Sequence, residues 1–591
     1  MSNHSPRGQA DGLNQLSPTT ERMHLSRRLV LPLILLIAFV IRLSLLPSAE
    51  KMHFNYIADS RMYADKAMLI MEGKPLERVW HQGPLYPYFL AGICSAAGRK
   101  SMYPVLFVQM LLGLCCIFLV YSITMRVSGS WAAACLAAFL LAFYQPMIFY
   151  EEMILMESLL TFLYLALLLA ITIAETGGKK RMWFAAGLIL GIAALGRGSI
   201  LLFAFFYVAF KAIQGIKIGS LEGKKAAYVR LALFAAGTVL AVSPLTIRNF
   251  IVGKDFVPLA ANYGITFYEG NNRFAKGIYM NPPGLNIDQD FTGEKIASFI
   301  AKRPLKPSEV SRFWMGEAWK EIKQTPLRFA GLLGLKTAYY WNRAEIPNAE
   351  SYVFAKNYAP FYSFPLIGFP IAGIFGLLGI GLALRQRRKS VAVLLLFVAA
   401  HMVSVAMFFI AARYRISVVP VLLIFASMAI IYAVDSFRKK QNKKLALYCI
   451  VAGCAALFVY FPWQGVSNKN FLAYTYNNMG LFYSANNNVA AARQYYESAM
   501  HECPGFWKPY NNLGNLYLAC GEKEKALSCY LQGLQKGLPR DSSAMFIHMS
   551  LGTYYLKEEG NIEEARKHYA QASPYVPYSL MMRQLRNELK L

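Results

Sequence analysis

Residues 29–47 read LVLPLILLIAFVIRLSLLP, a run of nineteen residues with almost no polar side chain. An apolar run of this length is typical of a helix that crosses the hydrocarbon core of a bilayer. The polar residues 1–28 precede it, and it lacks the cleavage site of small residues that a secretory signal requires. We therefore predict a retained first transmembrane helix behind a cytoplasmic N-terminal tail at residues 1–28.

Similar apolar runs recur along the chain, in which 56% of the 591 residues are hydrophobic. If each long run is one helix, the sequence predicts an all-α, polytopic membrane domain of about eleven transmembrane helices over residues 29–465. The predicted spans lie near residues 29–47, 103–124, 131–149, 153–174, 182–196, 199–213, 231–247, 363–384, 391–411, 416–434 and 445–463.

The formal net charge of +28 comes from Lys and Arg clusters that lie between the apolar runs. With a cytoplasmic N-terminus, the clusters at 179–181, 217–230, 385–389 and 438–444 all fall on the inner side, as the positive-inside rule requires. Topology therefore explains the charge, and we expect no nucleic-acid partner. The nine cysteines show no metal-ligand spacing, so neither a zinc site nor a disulfide framework is predicted.

Two apolar stretches, residues 85–97 and 329–341, are too short to span and would invert the topology if they did. Their tyrosines and Trp341 suit the headgroup region, so we predict interfacial or re-entrant helices on the outer face. The alternative is that one of them is a short, tilted span. On the first interpretation, outer loops at residues 48–102 and 248–362 lie on the outer face of the membrane domain.

From residue 471 onward the composition is that of a soluble helical domain, and an internal repeat appears. Glycines at 480, 514 and 552 are each followed by an Ala, a Tyr and a Pro. These positions are Ala492, Tyr496, Pro504, Ala526, Tyr530, Pro539, Ala565, Tyr569 and Pro577. The pattern resembles the tetratricopeptide repeat, in which small residues let two antiparallel helices approach and Tyr fills the groove between units. We predict a tetratricopeptide α-solenoid over residues 471–591, and because such arrays usually bind peptides, a protein partner is its expected ligand.

The loop after the first span contains Asp59 and Tyr63, which are spaced to share one face of a helix. The simpler interpretation is that Asp59 caps a solvated helix. Its position between a span, an interfacial segment and the long outer loop favours a functional carboxylate, because an acid beside apolar walls acquires a raised pKa suited to a base. His81 follows in the same outer loop and is predicted to contact substrate.

Further polar groups occur at or inside the predicted spans. Glu151 and Glu152 stand where the third span turns into the fourth, and Glu157 lies just inside the fourth span. Charge inside a span is costly and tends to face a cavity or a partner, so Glu157 is either functional or a group that reaches water from the helix end. His401, in the ninth span, is predicted to form an interhelical hydrogen bond.

Four arginines occupy three outer turns. Arg197 follows the fifth span, Arg248 stands beside Asn249 after the seventh, and Arg413 and Arg415 lie between the ninth and tenth. Each one alone is explained by a side chain that reaches headgroup phosphates. Together on one side of the membrane, guanidinium groups that bind phosphate bidentately predict a pyrophosphate-like or lipid phosphate ligand.

In combination, these motifs resemble the GT-C glycosyltransferases of the dolichyl-phosphate-mannose protein mannosyltransferase type, which include the bacterial aminoarabinose transferases that modify lipid A. The resemblance covers about residues 29–463. It is carried by Asp59 with Tyr63 and by the segments 83–88, 149–152, 244–249, 270–272 and 413–420.

The resemblance implies a hexosyl- or pentosyltransferase that moves a sugar from a polyprenyl-phosphate donor to a protein, lipid or glycan acceptor on the outer face by inverting displacement. Asp59 corresponds to the family's acidic residue in the first outer loop and is implied as the base. Glu151 or Glu152 resembles the second acidic site, which in some relatives helps to hold a divalent cation, the one cofactor that the resemblance allows. The implied substrate contacts are Tyr63, His81, Tyr86, Arg197, Arg248, Asn249, Asn271, Arg413 and Arg415.

Two other functions fit parts of the sequence. A transporter or flippase of lipid-linked sugars would also need acids and outer arginines, but it would favour paired broken helices and matching halves, which the sequence does not show. A membrane-anchored tetratricopeptide scaffold would need one span rather than eleven. We therefore expect an integral protein of the bacterial inner (cytoplasmic) membrane, in contact with membrane lipid, whose active site and repeats lie on the extracytoplasmic side.

Overall fold

A computed structural model of the chain describes residues 18–51, 58–98, 101–177, 179–216, 220–279, 282, 285, 290–348, 351–357, 359–364, 367–463, 466–536, 544–573 and 580–590. Over these residues the protein is all-α, as predicted, and no β-strand forms. Two isolated bridges join loops, one between Tyr144 and Ile367 and one between Ile278 and Ile410. Residues 1–17 of the predicted N-terminal tail lie outside the described residues.

Among the described residues, twenty α-helices precede the repeats. They are α1 (Pro18–Lys51), α2 (Ala58–Met71), α3 (Leu85–Ala96), α4 (Tyr103–Ser128), α5 (Trp131–Ala142), α6 (Gln145–Glu151), α7 (Glu157–Gly177), α8 (Lys180–Gly196), α9 (Ile200–Ile216), α10 (Leu221–Gly253), α11 (Tyr263–Asn271), α12 (Glu294–Ile300), α13 (Pro307–Gln324), α14 (Pro326–Trp341), α15 (Tyr352–Ala355), α16 (Phe369–Arg385), α17 (Ala392–Ala406), α18 (Ala412–Ile416), α19 (Val419–Arg438) and α20 (Asn442–Tyr460).

Every predicted span falls on a helix, but not all of these helices have the length of a full crossing. Six segments of the described residues are long and apolar enough to cross a membrane. They are Arg28–Ser48, Tyr103–Ser128, Glu157–Gly177, Leu221–Gly253, Val419–Arg438 and Asn442–Tyr460. The other predicted spans correspond to shorter apolar helices, which pack among the long ones.

Two predicted spans end earlier than expected. The run 131–149 is split into α5 and α6, because Pro146 stands in the first turn of α6 and cannot continue the preceding helix. The run 391–411 is helical only to Ala406. Beyond it the chain turns away, and the backbone N–H of Ile410 donates to the carbonyl of Gly277 at 2.9 Å.

Small residues bring the long helices together. A methyl group at Gly187 of α8 would overlap the backbone of Phe234 on α10. The same holds for Gly379 of α16, which lies against the backbone of Phe425 on α19. Helices in lipid associate largely by close packing, so glycines at the crossing points allow the tight contacts seen in these two pairs.

The two predicted outer loops contain short helices. The two apolar stretches predicted as interfacial elements form α3 and α14, and α11 to α13 and α15 also lie within the longer of these loops, the predicted long outer loop at residues 248–362. The end of α14 is fastened to the end of α20, because the Asn342 side-chain amide donates to the carbonyls of Val459 and Phe461 at 3.1 and 2.9 Å. The long outer loop and the chain after α20 therefore lie at the same end of the bundle.

The C-terminal region forms paired antiparallel helices. They are α21 (Asn468–Ala485), α22 (Val489–Glu502), α23 (Trp507–Ala519), α24 (Lys523–Lys536), α25 (Ala544–Lys557), α26 (Ile562–Ala572) and α27 (Leu580–Glu588). Gly480 lies directly against the ring of Tyr496, and Gly514 lies against that of Tyr530, so the small and aromatic positions of the repeat pack as predicted. The predicted Pro539 and Pro577 lie outside the described residues.

The first repeat helix belongs to the same packed core as the membrane domain. Phe471 and Met479 of α21 are buried in that core. The ring of Tyr476 meets that of Phe354 on α15 edge to face, with centroids 5.6 Å apart. The repeats are thus attached directly to the long outer loop.

Candidate active site

One cavity lies where α2, the start of α7, the end of α8, α11 and the segment between α17 and α18 meet. It is partly open to the exterior, and about 1040 Å³ of empty space lies in it and at its mouth, open solvent included. The polar side chains that line it are Asp59, Tyr63, Gln82, Glu157, Tyr164, Arg197, Ser199, Asn262, Tyr263, Thr266, His401, Ser404, Arg413 and Tyr414. A concave site in which polar groups converge between apolar side chains is typical of small-molecule binding.

Asp59 and Arg413 form an ion pair on the cavity wall. Asp59 stands in the first turn of α2, where a carboxylate is favoured by the helix dipole. Arg413 stands on the short α18, and its Nη2 donates to Asp59 Oδ2 at 2.7 Å. The Asp59 side chain is 19% exposed and the Arg413 side chain is 7% exposed. Both charges therefore reach the cavity while they neutralise each other.

A second ion pair joins Glu157, in the first turn of α7, to Arg197, which ends α8. Arg197 Nη2 donates to Glu157 Oε1 at 2.8 Å. Glu157 is almost fully buried, and its charge inside the protein is compensated by this guanidinium. Glu157 is therefore a buried residue of the cavity wall.

Tyr414 brings the two arginines together. The guanidinium carbon of Arg197 lies 4.6 Å from the centre of the Tyr414 ring, and that of Arg413 lies 4.9 Å from it. Arg413 also donates to the Tyr414 hydroxyl at 3.0 Å. Both contacts are within the range of cation–π attraction, so one aromatic ring positions two cations at the same wall.

Tyr63 lines the cavity, whereas Tyr86 supports it from behind. The two rings meet edge to face with centroids 5.2 Å apart. The Tyr86 hydroxyl donates to Gln109 Oε1 at 2.6 Å, and the Gln109 amide donates in turn to the carbonyls of Glu151 and Met153. Burial raises the pKa of Tyr63 well above its usual value, with the charge of Asp59 adding to the effect, so its hydroxyl stays neutral.

The structure does not bring Glu151 and Glu152 to the cavity. Glu151 Oε2 accepts from Arg42 Nε at 2.6 Å, a pair that is 2% exposed on each side and lies inside the bundle. Glu152 Oε1 accepts from the Tyr362 hydroxyl at 2.7 Å, and burial raises the pKa of Glu152 to about 8. The partner Arg42 lies within the first apolar run, where sequence reasoning did not look for one.

Arg248 holds the loop that leads to α3, Asn249 holds the segment after α10, and neither residue lines the cavity. Arg248 donates to the carbonyls of Glu77 and Arg78 at 2.8 and 3.3 Å. The Asn249 amide donates to the carbonyls of Val257 and Leu259. These hydrogen bonds fix backbone that would otherwise lack partners.

Arg415 and Asn271 are also engaged with the protein itself. Arg415 donates to the carbonyls of Tyr340, Asn342 and Ala344, and it forms an ion pair with Glu345 at 3.0 Å. Asn271 accepts from the buried Lys336 Nζ at 2.8 Å and donates to two backbone carbonyls. Neither side chain lines the cavity.

His81 does not lie where it was predicted, whereas His401 does. His81 is buried with its ring against Phe291, centroids 5.0 Å apart, while the next residue, Gln82, is the one that lines the cavity. Burial lowers the pKa of His81 to about 4, so it is neutral at physiological pH. His401 forms the predicted interhelical hydrogen bond, with the Tyr340 hydroxyl 3.0 Å from Nδ1, and also lines the cavity.

Several residues of the site carried no clear signal in the sequence. Tyr164 and Tyr263 line the cavity from α7 and α11. Glu269, one turn beyond Thr266 on α11, is buried, and burial together with the charge of Asp59 raises its pKa to about 8. It directly precedes the segment 270–272 that carries part of the resemblance, which is the signal that could have found it.

The part of the chain that the structure describes contains no cluster of three or more His, Cys, Asp or Glu side chains placed to hold a metal ion. Of the acids considered for a divalent cation, Asp59 is neutralised by Arg413, while Glu151 and Glu152 lie outside the cavity. The arrangement of these residues does not fit a shared cation.

Comparison with known families agrees with the architecture. Residues 81–244 match the family model of the dolichyl-phosphate-mannose-protein mannosyltransferases. Residues 472–502 and 508–535 each match a model of the tetratricopeptide repeat. The predicted resemblance is confirmed over these segments, and the chain is an integral membrane protein with a C-terminal tetratricopeptide array.

Two solved structures resemble the chain at low identity. The first is the apo oligosaccharyltransferase of Archaeoglobus fulgidus, at 15% identity and a TM-score of 0.41, with 80% of this chain and 60% of that chain covered. The second is ArnT from Cupriavidus metallidurans bound to undecaprenyl phosphate, at 15% identity and a TM-score of 0.38, with 87% and 83% covered. The chain thus spans about 60% of the length of the archaeal protein. No protein with a curated description matches it.

Proposed function

We propose that this protein is a glycosyltransferase that moves a sugar from a polyprenyl-phosphate donor to a protein, lipid or glycan acceptor. The observation that carries the proposal is the cavity in which Asp59 pairs with Arg413 and Glu157 pairs with Arg197, inside an integral membrane protein. The mannosyltransferase family match, which includes the positions of Glu157 and Arg197, supports the same class of reaction.

Arg413 and Arg197 bind the phosphate of the donor. Both guanidinium groups contact the ring of Tyr414, so a phosphate placed beside that ring reaches both of them. The two ion pairs leave the cavity without excess charge before the donor binds. A bound phosphodiester competes with Asp59 for Arg413, and the guanidinium then faces the oxygen on which negative charge develops.

Asp59 accepts the proton of the acceptor. The acceptor oxygen or nitrogen attacks the anomeric carbon from the side opposite the phosphate, so a new bond to that carbon forms as the carbon–oxygen bond to phosphate breaks. The electron pair of the broken bond goes to the released polyprenyl phosphate, and the acceptor proton goes to the Asp59 carboxylate. This displacement inverts the anomeric configuration.

The proposed orientation places the cavity on the extracytoplasmic side of a bacterial inner membrane. The basic clusters between predicted spans favour a cytoplasmic N-terminus at residues 1–28. The membrane domain then covers 29–465, with outer loops at 48–102 and 248–362, and the repeats at 471–591 lie on the same side of the membrane as the cavity. A cysteine at the exposed Asn487 is expected to react with a membrane-impermeant thiol reagent in intact cells, and protection of that cysteine would contradict this orientation.

The direct test is turnover by the purified full-length protein in lipid nanodiscs. A panel of undecaprenyl-phosphate hexoses and pentoses is incubated with the protein and with an envelope extract that supplies acceptors. We expect release of bare undecaprenyl phosphate from at least one donor and a product of inverted anomeric configuration. No release from any donor would contradict the proposed function, and a product with retained configuration would contradict the single displacement.

A further inference from the structure

Two acceptor oxygens on the cavity side chains have no hydrogen-bond donor among the described residues. They are Gln82 Oε1 and Glu157 Oε2, and both are shielded from bulk water. Glu157 uses only its other oxygen, Oε1, for the ion pair with Arg197. A shielded acceptor without a partner costs free energy, so such an atom at a cavity points to a ligand that donates a hydrogen bond.

The two side chains belong to the same part of the wall. Gly83, next to Gln82, is pressed against the carbonyls of Leu195 and Gly196 at the end of α8, where a methyl group would overlap them. The next residue along α8 is Arg197, the partner of Glu157. Gln82 and Glu157 therefore stand beside the guanidinium that the proposed function assigns to the donor phosphate.

The loop that carries Gln82 is fixed before any ligand binds. The carbonyls of Trp80 and His81 accept from the backbone N–H groups of Ala261 and Asn262, both at 3.0 Å. With Gly83 held against α8 on the other side, the backbone around Gln82 has little freedom. A side chain on such a rigid support discriminates between ligands better than one on a mobile loop.

The chemistry of these atoms excludes two parts of the proposed donor. A phosphodiester has only acceptor oxygens, and a polyprenyl chain has no polar group, so neither can donate to Gln82 Oε1 or Glu157 Oε2. A sugar hydroxyl donates readily. We propose that Gln82 and Glu157 are the residues that recognise the sugar of the donor by accepting hydrogen bonds from its hydroxyl groups; this inference rests on the proposed function.

The test compares binding of two lipids to the full-length protein in nanodiscs, undecaprenyl phosphate and undecaprenyl-phosphate mannose. The wild type is expected to bind the mannose-bearing lipid about tenfold more tightly than the bare lipid, the size of effect that paired acceptors give. Gln82→Met keeps the length of the side chain and removes one of the two acceptors, so it should lose much of the preference, while Glu157 keeps the rest. Gln214→Met, at an exposed position of α9, is the matched control and should keep the preference.

The other possible results distinguish a failure of this inference from a failure of the proposed function. Gln82→Glu keeps an acceptor oxygen and should keep the preference, and binding of the bare lipid by Gln82→Met shows that this variant is folded. A preference in Gln82→Met as large as that of the wild type would overturn the inference while the proposed function stands. Binding of neither lipid by the wild type would instead overturn the proposed function, and the inference with it.

Discussion

The cavity wall and the interior of the bundle contain the same chemical pair in two different settings. At the cavity, Asp59 and Arg413 are 19% and 7% exposed, and Arg413 also donates to the hydroxyl of the neighbouring Tyr414. In the interior, Arg42 and Glu151 are 2% exposed each, and Arg42 also donates to the carbonyls of Ala38 and Ala142. A pair that a ligand can reach is able to exchange partners, whereas an enclosed pair joins helices.

The largest effect on stability is expected from the enclosed pair. Glu151→Gln leaves the Arg42 guanidinium buried without a counter-charge, which costs roughly 3–5 kcal/mol. Thermal unfolding in detergent, followed by loss of helix signal, should show a clearly lower Tm. The double variant Arg42→Met, Glu151→Met removes both charges and should recover most of the loss. An unchanged Tm in Glu151→Gln would show that this pair does not hold the bundle together.

The pair of Asp59 and Arg413 at the cavity should affect the rate of transfer rather than the stability. Arg413→Gln removes a cation that faces the leaving phosphate, so transfer should fall by roughly 10²–10³ with little change in Tm. Arg415→Gln, two residues away, breaks hydrogen bonds to the carbonyls of Tyr340, Asn342 and Ala344 and should lower Tm instead. The measurement is the transfer rate and the Tm of both variants, made side by side. A lower Tm for Arg413→Gln together with a lower rate for Arg415→Gln would contradict the assignment of both arginines.

The buried carboxyl of Glu269, which has no cationic partner among the described residues, should make the stability of the protein depend on pH. Among the described residues none forms an ion pair with Glu269, and burial holds its pKa at about 8 in the folded protein, against 4.5 as the ordinary value. The folded state thus keeps a proton that the unfolded state loses, so stability is highest below about pH 4.5 and falls as pH rises towards 8.

The slope of this dependence is at most roughly 1.4 kcal/mol per pH unit. Glu269→Gln should lessen the slope of Tm against pH over that interval, to which the buried Glu152 also contributes, while Glu294→Gln, at an exposed position of α12, should leave the slope unchanged. A curve that keeps its slope in Glu269→Gln would assign the dependence to another group.

The smallest effect is expected on the surface of the repeats. Arg493 and Glu497 form an exposed pair one turn apart on α22, at 2.8 Å and with side chains about half exposed. Such pairs are screened by water and salt and contribute roughly 0.3–0.5 kcal/mol. Glu497→Gln should therefore shift Tm by less than a degree or two. A Tm shift as large as that of Glu151→Gln would show that burial does not explain why the two ion pairs differ in their contribution to stability.

Helices and repeats were predictable because their signals are local. Apolar runs of fixed length and the Gly, Ala and Tyr spacing of the repeats depend only on neighbours in sequence. Even the break between α5 and α6 had a local signal, Pro146, which the assignment of one long span overlooked. The number of full crossings was less predictable, because helices packed inside a bundle can be shorter than the bilayer is thick.

The site was predictable only in part because charge partners are set by tertiary structure. Asp59 and Tyr63 were found from their helical spacing, but nothing in the sequence links Asp59 to Arg413, 354 positions away. The outer arginines looked equivalent in sequence, yet Arg413 faces the cavity and Arg415 binds backbone carbonyls. Which role an arginine takes depends on whether the fold leaves carbonyl groups within its reach.

The central claim is that the carboxylate of Asp59 on the cavity wall takes the acceptor proton. The chain supplies a matched control in Asp65, which stands on the same helix, is largely exposed and pairs only weakly with Arg61 at 3.8 Å. The deciding measurement is the rate of sugar transfer by Asp59→Asn and by Asp65→Asn, each shown to fold by its Tm. We predict a loss of roughly 10²–10⁴ for Asp59→Asn and a wild-type rate for Asp65→Asn. Wild-type transfer by a folded Asp59→Asn variant would contradict the account.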